Sequence, residues 1–360
     1  MSIPVYILRR ILISIPTILV VSMLGFLMMR YNFVVGPVDL GPVHVMDAVH
    51  IKNPIDPLAH LRNNPAITRA ALQQEEARLG LDKPMTTQYW LWLTHLLHFE
   101  PDALMQGNVS GFFRPDLGRT FNGDDVAALI GRRAGNTLIL NLAVLILSWV
   151  IAVPLGIYAA LHWRTVADRL MTAMTALGMS FPSFVLALLL AVFVVKTNLL
   201  PLGGVQSENY AALDPLAQFV DRLRHLILPV FVLTVGSLSG IQRQMRANLL
   251  DVLQAEYVRT ARAKGLPEHV VIWRHAVRTA INPLVTMMGY EFAGMMSGAL
   301  LVETVLGYPG LGQLMYKAVL ETDTNLVMAT LVMGAVMLVL GNLMADILLK
   351  LVDPRISLEG

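Results

Sequence analysis

The sequence predicts an all-α membrane protein with six transmembrane helices. Of its 360 residues, 55% are hydrophobic and only 14% are charged, and the mean hydropathy is +0.60. Soluble domains carry about 25% charged residues, so this composition excludes an ordinary water-soluble fold. The apolar residues form long blocks, whereas the strands of a membrane β-barrel alternate apolar and polar positions. The chain contains no cysteine, which excludes disulfides and thiolate chemistry.

Each apolar block has the length that a helix needs to cross a bilayer core of about 30 Å, which is roughly 20 residues. The first block follows Arg9 and Arg10, as a signal peptide would, but its apolar core is too long and no small-residue cleavage site follows it. We therefore interpret it as a retained span. The predicted spans are residues 11–29, 137–161, 170–195, 226–242, 283–302 and 326–349.

The basic residues of the short loops place both termini on the cytoplasmic side. With that orientation, thirteen lysines and arginines lie inside and four lie in the two short outer loops, as the positive-inside rule requires. The chain then divides into an N-terminus with its first span (1–30), a large extracytoplasmic loop (31–136), a five-helix core (137–349) and a cytoplasmic tail (350–360).

The extracytoplasmic loop contains two predicted helices. Residues 65–80 have helical propensity and end at a glycine. Residues 88–99 carry three aromatic residues and an apolar face at helical spacing, which is typical of a helix lying in the membrane interface. His95 and His98 are three residues apart, but no third ligand is fixed by spacing, so the sequence predicts no metal site.

The cytoplasmic loop 243–283, called the inner loop below, holds seven basic and three acidic residues. A helix over 249–263 is predicted to end at Gly265, and a second short helix begins at Pro267, where proline and the following Glu268 suit a first turn. Composition leaves two interpretations open. The basic segment either binds anionic lipid or docks a cytosolic partner protein.

The inner loop also carries a family resemblance. Residues 257–266 read Tyr-Val-Arg-Thr-Ala-Arg-Ala-Lys-Gly-Leu, and Arg-His-Ala follows at 274–276. This pattern resembles the cytoplasmic loop of bacterial ABC-transporter permease subunits of the dipeptide/oligopeptide/nickel importer branch. Further similar stretches are Leu-Gly-Leu-Asp-Lys-Pro at 79–84, Ser-Phe-Pro-Ser-Phe at 180–184, Leu-Pro-Leu-Gly-Gly at 200–204, Glu-Thr-Val at 303–305, Tyr-Pro-Gly-Leu-Gly at 308–312 and Asp-Pro-Arg at 353–355.

The resemblance implies a type I ABC-importer permease fold and a set of partners. These are a second homologous permease, two ATP-binding subunits that hold ATP and magnesium, and an extracytoplasmic substrate-binding protein. No phosphate-binding P-loop motif occurs in this chain, so it is not expected to be an enzyme or to bind a cofactor itself. The net charge of +2 gives no reason to expect nucleic acid as a partner. The residues that the resemblance assigns to contact with the ATPase are Tyr257, Arg259, Thr260, Ala261, Arg262, Lys264, Gly265, Leu266, Trp273, Arg274 and His275.

The sequence departs from the usual pattern of the branch at residues 32–53 and 101–115, which lengthen the outer loop, and at Glu291, where related permeases more often have an uncharged polar residue. Such a charge is costly against lipid, so Glu291 is expected at a helix interface or on a hydrated path. Asn342 and Asp346 share one face of the last span and are likewise assigned to the path or to a helix interface. Asp346 lies near the inner end of the span, where it is expected to pair with another residue or to reach the membrane surface.

Three prolines lie inside the predicted spans and are candidate hinges, because each removes a backbone hydrogen bond; they are Pro154, Pro182 and Pro229.

The family resemblance makes imported peptides the expected substrate, with nickel chelates, glutathione or oligosaccharides as alternatives. A self-contained channel and an intramembrane enzyme are the remaining rival classes. The inner-loop motif argues against a channel. An enzyme is disfavoured because no spacing links Glu291 and Asp346, the two span acids.

Overall fold

The computed structural model describes residues 3–30, 68–78, 82–96, 116–120, 123–321 and 323–352, and this part of the chain is almost entirely helical. The extra length predicted at 32–53 and 101–115 lies outside the described residues. The helices are α1 (Ile3–Arg30), α2 (Arg69–Arg78), α3 (Met85–Leu96), α4 (Val126–Leu161), α5 (Val166–Ser180), α6 (Ser183–Thr197), α7 (Pro215–Leu253), α8 (Glu256–Ala263), α9 (Glu268–Val270), α10 (Arg278–Ala280), α11 (Asn282–Leu306), α12 (Leu311–Leu320) and α13 (Thr324–Val352). A short 3-10 helix covers Tyr210–Ala212, and a π-helix covers Val271–Val277.

Four helices of the described ranges are long and apolar enough to cross a membrane, namely α1, α4, α7 and α13. The pair α5 and α6 passes the same test when it is taken together as a fifth span. The remaining predicted span, 283–302, coincides with the 25-residue helix α11. The prediction of an all-helical membrane protein is therefore confirmed.

The prediction that the third span, 170–195, is one continuous helix was wrong. The structure divides 170–195 into α5 and α6, which are bent by 87° relative to each other. The chain between them has extended backbone at Phe181 and at Pro182, with ψ angles of 126° and 133°. Proline disfavours the helical conformation in the residue before it, and this explains why the helix ends there.

By its internal contacts the chain forms two compact units. The first contains residues 1–14, 133–313 and 336–360, and the second contains 15–132 and 314–335. In the second unit, α3 packs on α1 through Tyr89, whose hydroxyl lies 2.9 Å from that of Ser22 and whose ring meets Phe26 edge-on at 5.5 Å. The aromatic helix predicted at 88–99 is thus a helix from Met85 to Leu96, with residues 97–99 outside the described part.

Within the first unit, α4 and α7 pack side by side and run in the same direction. Leu140 in the first half of α4 shares a buried cluster with Val230 in the first half of α7. Farther along, the Ser148 and Ser237 hydroxyls lie 2.8 Å apart. Toward the C-terminal ends, Gly156 of α4 faces α7 so closely that an added Cβ would lie 2.7 Å from the Cβ of Met245. Small residues at such contacts let membrane helices approach closely.

Helix α11 runs in the opposite direction along the same α7. Its N-terminal residue Leu284 shares a buried cluster with Leu249 near the end of α7, and Val302 near its C-terminus shares another with Leu228. Helix α11 therefore contacts α7 near both of its ends.

Candidate functional site

The inner loop is built around a small apolar core of its own. Val258 and Ala261 of α8 and Val271 of the π-helix are buried together. Gly265 links the two helical pieces with a positive φ of 77°, a conformation in which a side chain would be strained. Pro267 lies one residue before α9 rather than in its first turn.

An ion pair closes the inner loop across this turn. The Arg262 guanidinium donates two hydrogen bonds to the Glu268 carboxylate, at 3.2 and 2.7 Å. These bonds hold the pKa of Glu268 below its ordinary value and raise that of Arg262. Both side chains are largely exposed, so solvent screens the pair and it contributes little to global stability.

The inner loop presents large apolar side chains to solvent among its basic residues. Tyr257 is 45% exposed, Leu266 39% and Trp273 60%. Most of the predicted contact residues share this exposure: Arg259, Thr260, Arg262, Lys264, Gly265 and Arg274 are exposed, and His275 is half-buried. Ala261 is the exception, because its side chain is buried in the core of the loop; its assignment to the ATPase contact stays a prediction.

The second half of the inner loop is joined to α11 with almost no interruption. Every residue from Glu268 to Leu306 except Ile281 belongs to a helix. The φ and ψ angles of Ile281, −78° and −23°, are still in the right-handed helical region. Ala276 and Ala280 pack in the cluster that contains Leu249 of α7, and the Asn248 amide donates to the Ala280 carbonyl at 3.1 Å. The sequence had predicted a short helix separate from the following span.

The candidate hinges differ in their environments. Pro154 lies inside α4, where it is exposed, and Pro229 lies inside α7, where it is buried. Pro182 lies in the break between α5 and α6 instead of inside a helix. Each proline therefore interrupts backbone hydrogen bonding, but only Pro182 marks the end of a helix.

Of the three polar residues predicted for a path or a helix interface, Asp346 has contacts that the structure describes. Asp346 accepts a hydrogen bond from the Tyr6 hydroxyl at 2.9 Å and pairs with Arg10 at 3.1 Å, so it connects α13 with α1. Asn342 is half-buried one turn earlier on α13. Glu291 lies in α11, and its side chain is outside the described part of the chain.

Three carboxylates of the described residues are buried and were not predicted as functional residues, namely Glu303, Asp168 and Asp323. Glu303, at the end of α11, is 0% exposed, and Asp168, at the start of α5, is 3% exposed. The Asp168 carboxylate receives two hydrogen bonds from Arg246 of α7, at 2.7 and 2.8 Å. The signal available in the sequence was an acidic residue at the boundary of an apolar block.

Comparisons with known proteins agree with this architecture. Residues 152–358 match the family of binding-protein-dependent transport system inner membrane components. The oligopeptide transport system permease protein AppB of Bacillus subtilis is 35% identical, over 98% of this chain and 99% of that protein. OppB of Mycobacterium tuberculosis, also named an oligopeptide transport system permease, is 32% identical over 83% of this chain and 89% of its own length.

A third relative is the glutathione transport system permease protein GsiC of Salmonella paratyphi A. It is 32% identical over 98% of both chains. The chain therefore belongs to the family of binding-protein-dependent transport system inner membrane components, and the predicted resemblance to peptide-type ABC permeases is confirmed. It is a multi-pass protein of the inner membrane and a transport component rather than a catalytic subunit.

Proposed function

We propose that this chain is one of two membrane subunits of an ATP-driven importer for peptides. Its partners are a second permease, two ATP-binding subunits that hold ATP and magnesium, and an extracytoplasmic substrate-binding protein. The observation that carries the proposal is the inner loop, an ordered structure that exposes Trp273 and Tyr257 beside basic residues. Buried aromatic and arginine side chains dominate protein interfaces, so this surface suits docking of an ATPase subunit better than a diffuse lipid contact.

The packing of α4, α7 and α11 supports six spans with both termini in the cytoplasm. Because α4 and α7 run in the same direction, the chain between them must return across the membrane. The bent pair α5 and α6 is therefore one crossing and not a re-entrant loop. Helix α11 runs antiparallel along α7 and supplies the next crossing. With α1 before and α13 after these four, the count is six, and the basic residues place the inner loop inside.

Peptides are the proposed substrate class because the relatives AppB and OppB are named oligopeptide permeases. The name of GsiC makes glutathione, itself a tripeptide, the second candidate. Uptake of labelled oligopeptides and of glutathione by vesicles containing the complete complex separates the two. We expect oligopeptide uptake that depends on ATP and on the binding protein. Uptake of glutathione alone would reverse the order of the two candidates.

The docking surface is tested by replacing Trp273 with alanine and measuring how much ATPase subunit co-purifies with the permease. A buried aromatic anchor contributes about 2 kcal/mol or more, which corresponds to a roughly 30-fold loss of affinity. Trp163→Ala is the matched control, because Trp163 is 48% exposed and lies outside the inner loop. If Trp273→Ala retains its ATPase as well as Trp163→Ala does, this surface is not the docking site.

A further inference from the structure

We propose that Glu303 is a positioning residue that ties the predicted outer end of the permease together and passes the movement of the inner loop to it. This inference rests on the proposed function. It concerns the group formed by the Glu303 carboxylate, the Thr137 hydroxyl and the peptide N–H groups of residues 311–313, called the outer clasp below.

The outer clasp joins three pieces of the first unit. The Glu303 carboxylate at the end of α11 accepts hydrogen bonds from the Thr137 hydroxyl of α4 at 3.0 Å and from the Gln313 N–H at 3.0 Å. The Gly312 N–H donates to the same carboxylate. In turn, the Thr137 oxygen accepts from the Leu311 N–H at 2.8 Å. A buried carboxylate with these donors holds all three pieces in one relative geometry.

The close fit around the outer clasp leaves no room for larger residues. A Cβ added at Gly310 would collide with the Glu303 carboxylate, and one added at Gly312 would lie 2.5 Å from Cα of Leu300. The neighbouring turn is held as well, because the Asn136 amide donates to the Pro309 carbonyl at 2.8 Å. The carboxylate therefore cannot shift without moving α4 or the turn after α11.

The other end of α11 is where the inner loop is attached. Helical backbone continues from Glu268 to Leu306 except at Ile281. Helix α11 alone spans about 37 Å at 1.5 Å per residue over its 25 residues. A movement imposed on the inner loop by an ATPase thus reaches Glu303 through continuous helix, and the outer clasp transfers it to α4.

A purely structural role is the competing explanation for the buried carboxylate. Replacing a buried charge network with apolar side chains is often neutral or stabilising, so stability alone gives no reason to place a carboxylate here. The outer clasp instead connects the end of α11 specifically to α4 and to the turn at residues 311–313. Its loss should affect coupled transport more than assembly.

The test uses the complete complex and the variants Glu303→Gln and Thr137→Val. Glu303→Gln replaces one of the two acceptor oxygens of the outer clasp with an amide donor, and Thr137→Val removes the hydroxyl that donates to the carboxylate; both change the shape little. Glu208→Gln is the matched control, because Glu208 is exposed in the loop before α7. Four quantities are measured: co-purified ATPase subunit, basal ATP hydrolysis, hydrolysis stimulated by the loaded binding protein, and uptake.

We expect both variants to assemble and to keep basal hydrolysis, with stimulated hydrolysis and uptake at least tenfold lower. The double variant should be no worse than the poorer single variant, because the two changes remove one connection. Uptake equal to that of Glu208→Gln would overturn the inference, and so would a parallel fall of assembly and uptake in both variants. If the unmodified complex lacks stimulated hydrolysis, the proposed function fails first and the inference with it.

Discussion

The ion pair between Asp168 and Arg246 gives the sharpest prediction about stability. Asp168 begins α5, Arg246 lies in α7, and the guanidinium meets the carboxylate in a two-pronged arrangement with N–O distances of 2.7 and 2.8 Å. The Asp168 side chain is 5% exposed and the Arg246 side chain 24%. The carboxylate also accepts the Arg164 N–H at 3.0 Å, just before α5 begins.

Removing the charge of Asp168 should therefore destabilise the permease substantially. Each hydrogen bond to a charged group contributes about 1.5–3 kcal/mol, and loss of one partner of a buried pair costs about 3–5 kcal/mol. Arg246 stays partly hydrated, which lowers this cost. We expect Asp168→Asn to reduce the free energy of unfolding by about 2–4 kcal/mol, measured by SDS titration of the purified protein in mixed micelles.

A double-mutant cycle isolates the contribution of the pair. Arg246→Met alone should cost a similar amount, and the double variant should be much less unstable than the sum of the two single variants predicts. Asp251→Asn, at an exposed position of α7, is the control and should stay within about 0.5 kcal/mol of the unmodified protein. Strictly additive effects of the two single variants would refute the reasoning, because they would show that the two groups do not stabilise each other.

Two further predictions concern the packing of α4 and the turn of the inner loop. Gly156→Leu should destabilise the contact between α4 and α7 by about 1–3 kcal/mol in the same titration, because even a Cβ would overlap Met245; unchanged stability would contradict this contact. The ion pair with Arg262 lowers the pKa of Glu268. The contribution of this pair to the stability of the inner loop is therefore fully present above the ordinary glutamate pKa of about 4.3. It is lost only as the pH falls through the lowered pKa of the folded state. Protection factors of the amides of residues 256–270, corrected for the intrinsic pH dependence of exchange, should fall below that pH in the unmodified protein and not in Glu268→Gln, and an equal fall in both would exclude the pair as its cause.

The sequence predicted the class of fold well because apolar blocks are a local signal. An apolar block such as 137–161 directly indicates a membrane-spanning helix. The helix extends beyond the predicted limits where the flanking residues keep helical propensity, and α4 accordingly begins at Val126. The buried carboxylate of Glu303 could not be placed in this way. Its partners are Thr137, 166 residues earlier, and Gln313 after a turn, and no periodicity relates positions that only the tertiary fold brings together.

The inner loop shows how the same residue type can end a helix or lie inside one. Gly265 and Pro267 were expected to separate two helices, and they do, because the glycine adopts a positive φ and Pro267 has an extended ψ of 139°. Pro283 was expected to begin an independent span, yet it lies two residues after Ile281, whose backbone stays right-handed helical. Pro283 lies in the first turn of α11, where its missing N–H would have no partner within that helix. We therefore expect the inner loop to bend at Gly265 and to move together with α11, as the outer-clasp proposal requires.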